Sequence, residues 1–451
     1  VKDAELHALR SARPAAGPHF HFGSRPTANE AVLEAAVLQA AGHNFRLDDP
    51  SFYEARGDRP ALPKVLAGRV QRELKARYSD QVQQSAHTLF KGRIGLQELL
   101  VCGARTNGYT GPAALRDDGD IESVLRASNW ARNTTIEAEG ASNTSLANVL
   151  ANVMNKFLLQ GYLFVEQAWR QIAAVRPVKD FKPTKSVNLY GDFIYEKVGS
   201  SGELKNATLS DQAFANQADQ YGRIITLDRK QIMNDDLGAL TTVPTLLGRG
   251  AGLRLNQLFW SAFNTPSAAD NGQAFWNAAA HAASNALPNL LTGAGSALSS
   301  ASLQAAVTAF NKQTDPAGYP LGIEPEILLY PSELDVTARE LMNSQFLVYG
   351  GASAAKQPNT NIWAGRFTPV MSRYLSNPSI PGFSATGWYL LGNPALAPVV
   401  EVAFVNGVDV PTVQTAGPDF QFDRLGISAR GVFDCGVNNQ NFRGGVKSAG
   451  A

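Results

Sequence analysis

Apolar residues return at helical spacing in three stretches of this chain and at strand spacing in several others. In RPALPKVLAGRVQRELKARY, Leu62, Leu66, Val70, Leu74 and Tyr78 step by four and predict a helix, with Arg69, Arg72 and Lys75 off the stripe. From Ser145 to Ile172, the positions Leu146, Val149, Leu150, Val153, Phe157, Phe164, Ala168 and Ile172 fit one helical face. Ser142 and Asn143 stand ahead of it, where side-chain oxygens cap free backbone N–H groups. The third helix runs from Leu237 to about Phe263, along Leu240, Val243, Leu247, Ala251, Leu255, Leu258 and Ala262. Pro244 inside it either kinks the helix or marks a restart.

Between the second and third helices lies a strand pattern. Tyr190 to Val198 is rich in β-formers, GSSGE is a turn, and the return strand runs on through YGRIITLDRKQI. Such a ribbon is marginal alone and needs something to lie on, for which another copy of the chain is the natural support. From residue 264 to about 395 the pattern is α/β. It predicts Ala-rich helices over Gln273 to Leu287 and Ser302 to Gln313, and a short buried strand from Ile327 to Tyr330. SELDVTARELM reads as a helix with Ser332 as N-cap, and GGASAAKQPNTN as a loose polar loop. Strands follow at Phe367 to Leu375 and Trp388 to Leu391, and VVEVAFVN alternates. The tail supplies one more strand, with Cys435 in a packing position, and then a Gly-rich end. Residues 1 to about 60, rich in Pro, Gly, Ala and Arg, read as an extended arm with a short helical patch near Glu30 to Gln39. The fold class is therefore α+β.

Composition narrows this picture. A chain of 451 residues with 44% hydrophobic and 18% charged residues is long enough for two or three domains. No stretch approaches ~18 uninterrupted apolar residues, so no membrane span is expected. Lys plus Arg (40) nearly cancels Asp plus Glu (39), and the net charge of +1 gives no global pull on nucleic acid. It also leaves little repulsion between packed copies. Cys102 and Cys435 make no disulfide framework. The start at Val1 reads as the product of a cut or of trimming.

Signals of chemistry are sparse. The six His residues fall in no metal-ligand spacing, and His19 and His21 read as exposed loop. No CxxC, phosphate-binding loop or nucleophile elbow occurs. The glycines of GRGAG, Gly248 to Gly252, read as close-packing positions on a helix. No catalytic residue, cofactor or metal site is expected. Asn234, Asp235 and Asp236 raise the one alternative, since adjacent carboxylates hold metals or share protons. A Mg²⁺ or Ca²⁺ cage needs more oxygens than these offer. The following helix has free N–H groups and a positive N-terminal dipole, so the three read as a structural cap. Arg69, Arg72 and Lys75 read as a solvated face, with contact to DNA phosphates as the sharper alternative.

The order of parts resembles the major capsid proteins of tailed bacteriophages, of the Hong Kong ninety-seven type. Within these it is most similar to Mu-like head subunits and to the capsid half of prohead protease–capsid fusions. The resemblance is carried by SLANVLANVMNKFLLQGY, VKDFK, GELKNATL, YGRIITLDRKQIMNDDLGAL, GYPLGIEPEILLYPSEL and RGVFDCGVNNQNFRG, in that order, over roughly Leu96 to Ala451. It implies an N-terminal arm with helical segments over 1–143 and a first part of a peripheral domain over 144–185. It implies an extended β-hairpin loop over 186–230, its tip at Gly199, Ser200, Ser201, Gly202 and Glu203, lying across a neighbouring subunit. The peripheral spine helix would occupy 231–263, the axial domain 264–395, and returning peripheral strands 396–451.

The function implied is structural: hexamers and pentamers of this chain forming the icosahedral head of a double-stranded DNA phage. Implied partners are other copies of itself, a portal protein, a cement or decoration protein, and packaged DNA held by non-specific contact. An upstream prohead protease or scaffold would act during maturation, and no membrane is involved. The location implied is the virion, assembled in the host bacterial cytoplasm. Lys185, Lys197 and Lys205 match no cross-linking pattern, so no covalent bond between copies is expected. Two alternatives stand beside this: an encapsulin-like nanocompartment shell, and a soluble α/β hydrolase, for which no nucleophile–His–acid set is legible. If the acidic pair is a cap, Asp235→Ala or Asp236→Ala lowers particle stability by ~1 kcal/mol without removing any chemistry. Thermal melting of assembled particles measures this, and a bound metal ion at the pair would overturn it.

Overall fold

The computed structural model describes residues 30–44, 78–90, 94–106, 109–112, 120, 123–124, 127, 146–191, 195, 197, 209–228, 237–269, 273–280, 287–315, 318–349, 357–416 and 426–450. The chain forms two compact units. The first comprises Val1–Phe164, Gly222–Ala251 and Val410–Phe433, the second Val165–Tyr221, Gly252–Asp409 and Asp434–Ala451.

In the first unit, helices α1 (Glu30–Asn44), α2 (Asp80–Phe90), α3 (Leu96–Thr106) and α4 (Leu146–Phe164) share one core. Its centre is Leu33, Val37, Phe90, Leu99, Leu100, Val153, Phe157 and Leu158. Helix α1 is apolar nearly all round, and such a helix is stable only when surrounded. Val32 to Leu38 are accordingly buried. This corrects the expectation of an extended arm there: residues 30–44 are built into the chain's own core. The helix expected over Leu62 to Tyr78 lies outside the described residues except at Tyr78, which sits in a bend.

Burying α1 also buries the Glu34 carboxylate. Glu34 lies 3.0 Å from Lys156 Nζ, accepts from Asn152 Nδ2 at 2.9 Å, and is hydrogen-bonded by the Tyr78 hydroxyl, which also meets Lys156. Burial by itself pushes the Glu34 carboxyl up. The hydrogen bonds from Tyr78, Asn152 and Lys156, with the Lys156 charge, outweigh it and hold the group below its ordinary value.

Helix α6 (Leu237–Asn264) follows the short helix α5 (Trp169–Ile172) in chain order and runs through Pro244 without a restart. Within the first unit it crosses α4 at backbone contact. A Cβ on Gly161 would strike the Thr245 carbonyl, and one on Gly248 the Leu158 carbonyl. Gly248 is thus the packing glycine expected of GRGAG, whereas a Cβ on Gly250 would meet open space. The buried stripe of α6 differs from the expected one. It runs through Pro244, Gly248, Gly252, Leu255, Phe259, Trp260 and Phe263, while Val243, Leu247, Ala251, Leu258 and Ala262 are half-buried. The reason is that at glycine the backbone itself is the contact surface, which a count of apolar side chains overlooks.

Helix α4 stops at Phe164 instead of continuing to Ile172. Beyond it, in the second unit, the Glu166 carbonyl accepts from Asn256 Nδ2 at 2.9 Å, so a tertiary partner replaces the helical one. In the second unit β1 (Ala174–Val178) lies parallel to β11 (Val400–Val405), and β11 antiparallel to the second half of β13 (Gly426–Asn439), pairing Phe404 with Cys435. Strand β11 is buried at every position, so the expected alternation yields to burial on both faces. Cys435 is wholly buried on its strand. In the first unit β12 (Thr412–Ala416) pairs with the first half of β13.

A second sheet has the order β5 (Leu290–Leu291), β14 (Gly445–Ser448), β10 (Trp388–Gly392), β6 (Pro325–Pro331), β9 (Thr368–Ser372). Helix α7 (Ser300–Asn311) packs on it, started by a capping box between Ser299 and Ser302. Helix α8 (Asp335–Asn343) follows a 3-10 turn at Ser332–Leu334, so Ser332 is not its N-cap; its hydroxyl lies near Glu333 and Ser376.

Three further expectations are corrected here. Residues 273–280 are irregular, not helical. Phe275 and Trp276 wedge into an aromatic cluster with Phe263, Tyr389 and Phe442, and the Asn289 amide bonds the Phe275 carbonyl (3.0 Å) and the Asn277 N–H (2.8 Å). The Gly-rich end supplies β14, paired on both sides, because Leu391 and Trp276 crowd Gly445 where a side chain would sit. Part of the expected loose loop, β8 (Gln357–Thr360), pairs with β7 (Phe346–Tyr349).

Glu34→Gln leaves Lys156 buried without its counter-charge and destabilises the first unit by ~3–5 kcal/mol, whereas Glu34→Leu with Lys156→Met is close to neutral. Because the folded Glu34 pKa is depressed, its contribution is complete above the ordinary value of 4.5 and is lost as pH falls through the folded value. Urea titrations of the wild type and both variants, from neutral pH into acid, read out the difference.

Candidate functional site

Strands β2 (Thr184–Gly191) and β3 (Leu209–Asn216) form an antiparallel ribbon, from Thr184 opposite Asn216 to Gly191 opposite Leu209. Among the described residues this pair joins no other sheet. The chain then turns, and β4 (Asp219–Asp228) pairs with β13. This corrects the reading in which the ribbon's return strand continued through YGRIITLDRKQI: from Asp219 on, the chain has left the ribbon for a sheet.

A two-stranded ribbon has little core of its own, so its position depends on its root. The root is built around Glu401, a carboxylate only 6% exposed in the middle of apolar β11. Ser186 Oγ donates to Glu401 Oε2 at 3.2 Å. Asn216 Nδ2 donates to Glu401 Oε1 at 3.1 Å and to the Glu401 carbonyl at 3.2 Å. Arg176 Nη1 stands 3.8 Å from Glu401 Oε2 and also bonds Ser186 Oγ. One carboxylate thereby ties both ribbon strands to the sheet of β1 and β11. Charge-assisted hydrogen bonds are the strong ones, and here they compensate a desolvated charge that would otherwise be costly.

Backbone contacts finish the root. Asn438 Nδ2 donates to the Ala215 carbonyl at 2.5 Å, and Gln217 Nε2 to the Phe181 carbonyl at 3.1 Å. Gly436 leaves room for the Gln217 carbonyl, which any side chain there would strike. At the root the Phe181 ring is 43% exposed, and beyond the end of β2 Tyr195 has no cover at all. Chemically the arrangement holds and orients; it contains no nucleophile–base pair. Among the described residues, no three His, Cys, Asp or Glu side chains are grouped to hold a metal.

The residues singled out from sequence lie elsewhere. Asn234, Asp235 and Asp236, the tip Gly199 to Glu203, and Arg69, Arg72 and Lys75 are all outside the described residues. The Glu401 root was missed. Its signal was present, a lone acid inside VVEVAFVN, but alternation made it read as an outward-facing position.

An α+β chain with a rooted, outstanding ribbon fits a structural protein better than a catalyst. Comparison gives the particular family: residues 213–448, just over half of the chain, match the family described as phage capsid protein. The chain belongs to this family of capsid proteins, and its place is the virion. No curated protein matches it. Among solved structures it is similar to the capsid of Cyanophage P-SCSP1u, at 10% identity over 63% of this chain and 88% of that one, with a TM-score of 0.43. It is also similar to a chain of Mycobacterium phage Patience, at 12% identity over 70% and 94%, TM-score 0.40. A virus-like particle from Pyrococcus furiosus matches at 10% identity over 65% and 97%, TM-score 0.37. The membership rests on the family match.

Glu401→Ala removes the carboxylate acceptor shared by both ribbon strands and leaves Asn216 Nδ2 only the backbone carbonyl of residue 401. It speeds hydrogen exchange of the Ser186–Gly191 amides by about tenfold or more, as loss of ~1.5–3 kcal/mol of charged hydrogen bonding requires. Exchange in α1 and α4 stays as in the wild type. Unchanged exchange along β2 would show that the root is elsewhere.

Proposed function

We propose that this chain is the major shell subunit of a tailed phage with a double-stranded DNA genome, assembling as hexamers and pentamers. The observation that carries the reading is the capsid-family match across 213–448. The ribbon supports it, since Tyr195, in the segment between its two strands, is fully exposed and a neighbouring copy would cover it. Contacts repeated around a closed shell add up even when each is weak. Within the family, the Mu-like head subunits and protease–capsid fusions are the proposed nearest kin.

In this proposal the extended loop is the ribbon of β2 and β3 with the segment between them, its tip at Gly199 to Glu203 against a neighbour. Residues 144–185, 231–263 and 396–451 form the peripheral domain, 264–395 the axial domain, and 1–143 an N-terminal region whose helices α1, α2 and α3 pack in the chain's own core. Asn234, Asp235 and Asp236 cap the spine helix. Arg69, Arg72 and Lys75 form a solvated basic face, with contact to packaged DNA as the alternative role. A portal protein, a cement protein and a maturation protease are the further partners. The role is that of a building block, not an enzyme.

Expression of the full chain, followed by electron microscopy, tests this. Closed icosahedral particles with five- and six-fold clusters are expected, and DNA-filled heads when the chain is made with its phage. A chain that stays monomeric at tens of micromolar would sink the proposal. Particles that enclose an enzyme and never DNA would point to a nanocompartment shell.

A further inference from the structure

The part of α6 in the second unit carries Asn256, Trp260 and Asn264 four residues apart. Their side chains therefore follow one stripe, ~6 Å from each to the next along the axis. All three are buried: Asn256 is 1% exposed, Trp260 0% and Asn264 6%. Burial has left polar atoms without partners. Asn256 Oδ1, Trp260 Nε1 and both polar atoms of the Asn264 amide are closed off from solvent and meet no hydrogen-bonding group. Glu166 Oε1 is in the same state, and Glu166 adjoins the row because its carbonyl accepts from Asn256 Nδ2 at 2.9 Å. Polar groups buried without partners raise the free energy of the closed structure.

The segment 373–384, which lies in neither helix nor strand, covers this row. At one end the Arg373 N–H donates to Glu166 Oε2 at 3.4 Å. Next to it the Tyr374 ring stacks on Trp260, with centroids 6.4 Å apart and planes within 6°. At the other end a Cβ on Gly382 would come within 3.0 Å of the Asn264 carbonyl oxygen and would strike the Thr265 methyl. Three contacts thus seat the segment on α6 from Asn256 to Asn264. The segment also closes on itself. The Ser384 N–H donates to the Leu375 carbonyl at 2.7 Å, bringing its ends together, and the Ile380 N–H donates to the Asn377 carbonyl at 3.0 Å. A compact loop with its ends joined in this way holds its shape without help from its seat.

We propose that 373–384 is a lid that lifts off α6 as one piece, because opening brings water to the polar groups that the closed seat leaves unpaired. The Tyr374–Trp260 stack favours closure, so the closed form predominates and opening is a local event within the folded unit. A neighbouring copy cannot supply the missing bonds in the closed form, since the atoms lie beneath the lid with no surface to reach. A metal ion is a poor occupant, because the N–H donors of Trp260 and Asn264 stand among the acceptors. The lid works in the same way whether or not the chain builds a shell.

Hydrogen exchange of the full chain, read by mass spectrometry, tests this in the wild type and two variants. In the wild type the amides of 373–384 are expected to exchange well before those of β10. Asn264→Leu keeps a similar shape and removes both unpaired amide atoms, so exchange of 373–384 is expected to slow by about tenfold. Gly382→Ala puts a methyl against the Asn264 carbonyl at a backbone φ of +71°, so the same amides are expected to exchange about tenfold faster. Exchange in β10 stays unchanged in both variants. An unchanged or faster rate in Asn264→Leu overturns the lid, since the amide is then satisfied where it sits. An unchanged rate in Gly382→Ala overturns it too, since the loop is then not seated on α6. If Asn264→Leu also strips protection from β10, the unit no longer folds, and Gly382→Ala alone decides.

Discussion

A pair of β-strands standing away from a sheet has two open edges and almost no interior, so its direction is decided where it is rooted. In this protein the root is a single desolvated carboxylate. Glu401 accepts from Ser186 on one ribbon strand and Asn216 on the other, with Arg176 beside it. A charge placed inside an apolar strand is unfavourable unless its lone pairs are filled, so the sheet and the ribbon root form together. The direction in which β2 and β3 leave the sheet is set by these bonds.

The first unit solves a different problem. Its helices pack closely because backbone meets backbone at Gly161 and Gly248, where any larger residue would push α4 and α6 apart. The charge that this packing encloses, Glu34, is again neutralised locally, by Lys156, Tyr78 and Asn152 from distant parts of the sequence. Both units therefore use a buried acid to join segments far apart in the chain. In both, a basic side chain and neutral hydrogen-bond donors together fill the carboxylate's lone pairs.

Periodicity along the chain found most of the long elements. Helix α6 and the strands β6, β10, β11 and β13 lie where spacing put them, within a few residues, whereas α4 ends at Phe164 short of Ile172 and the ribbon strands lie at Thr184–Gly191 and Leu209–Asn216. The errors share one origin. Helix α1 read as a patch in an arm because its burial depends on α2 and α4, and the Gln273 helix fails because two aromatic residues there gain more by entering a cluster. Strand β4 was assigned to the ribbon because local pattern does not name a partner. The root was invisible for the same reason: Ser186, Asn216 and Glu401 are ordinary residues until the sheet brings them together.

What the amino-acid sequence determined by itself was the class of element at each stretch, the balanced charge, and an order of segments resembling a capsid family. Those properties are local or additive, and they survive without knowledge of neighbours. Tertiary structure alone decided which face of α6 is buried, which strand β4 pairs with, and which acid carries the ribbon. Each of these depends on free energies of contact between residues up to hundreds of positions apart, and no spacing along a single segment encodes them.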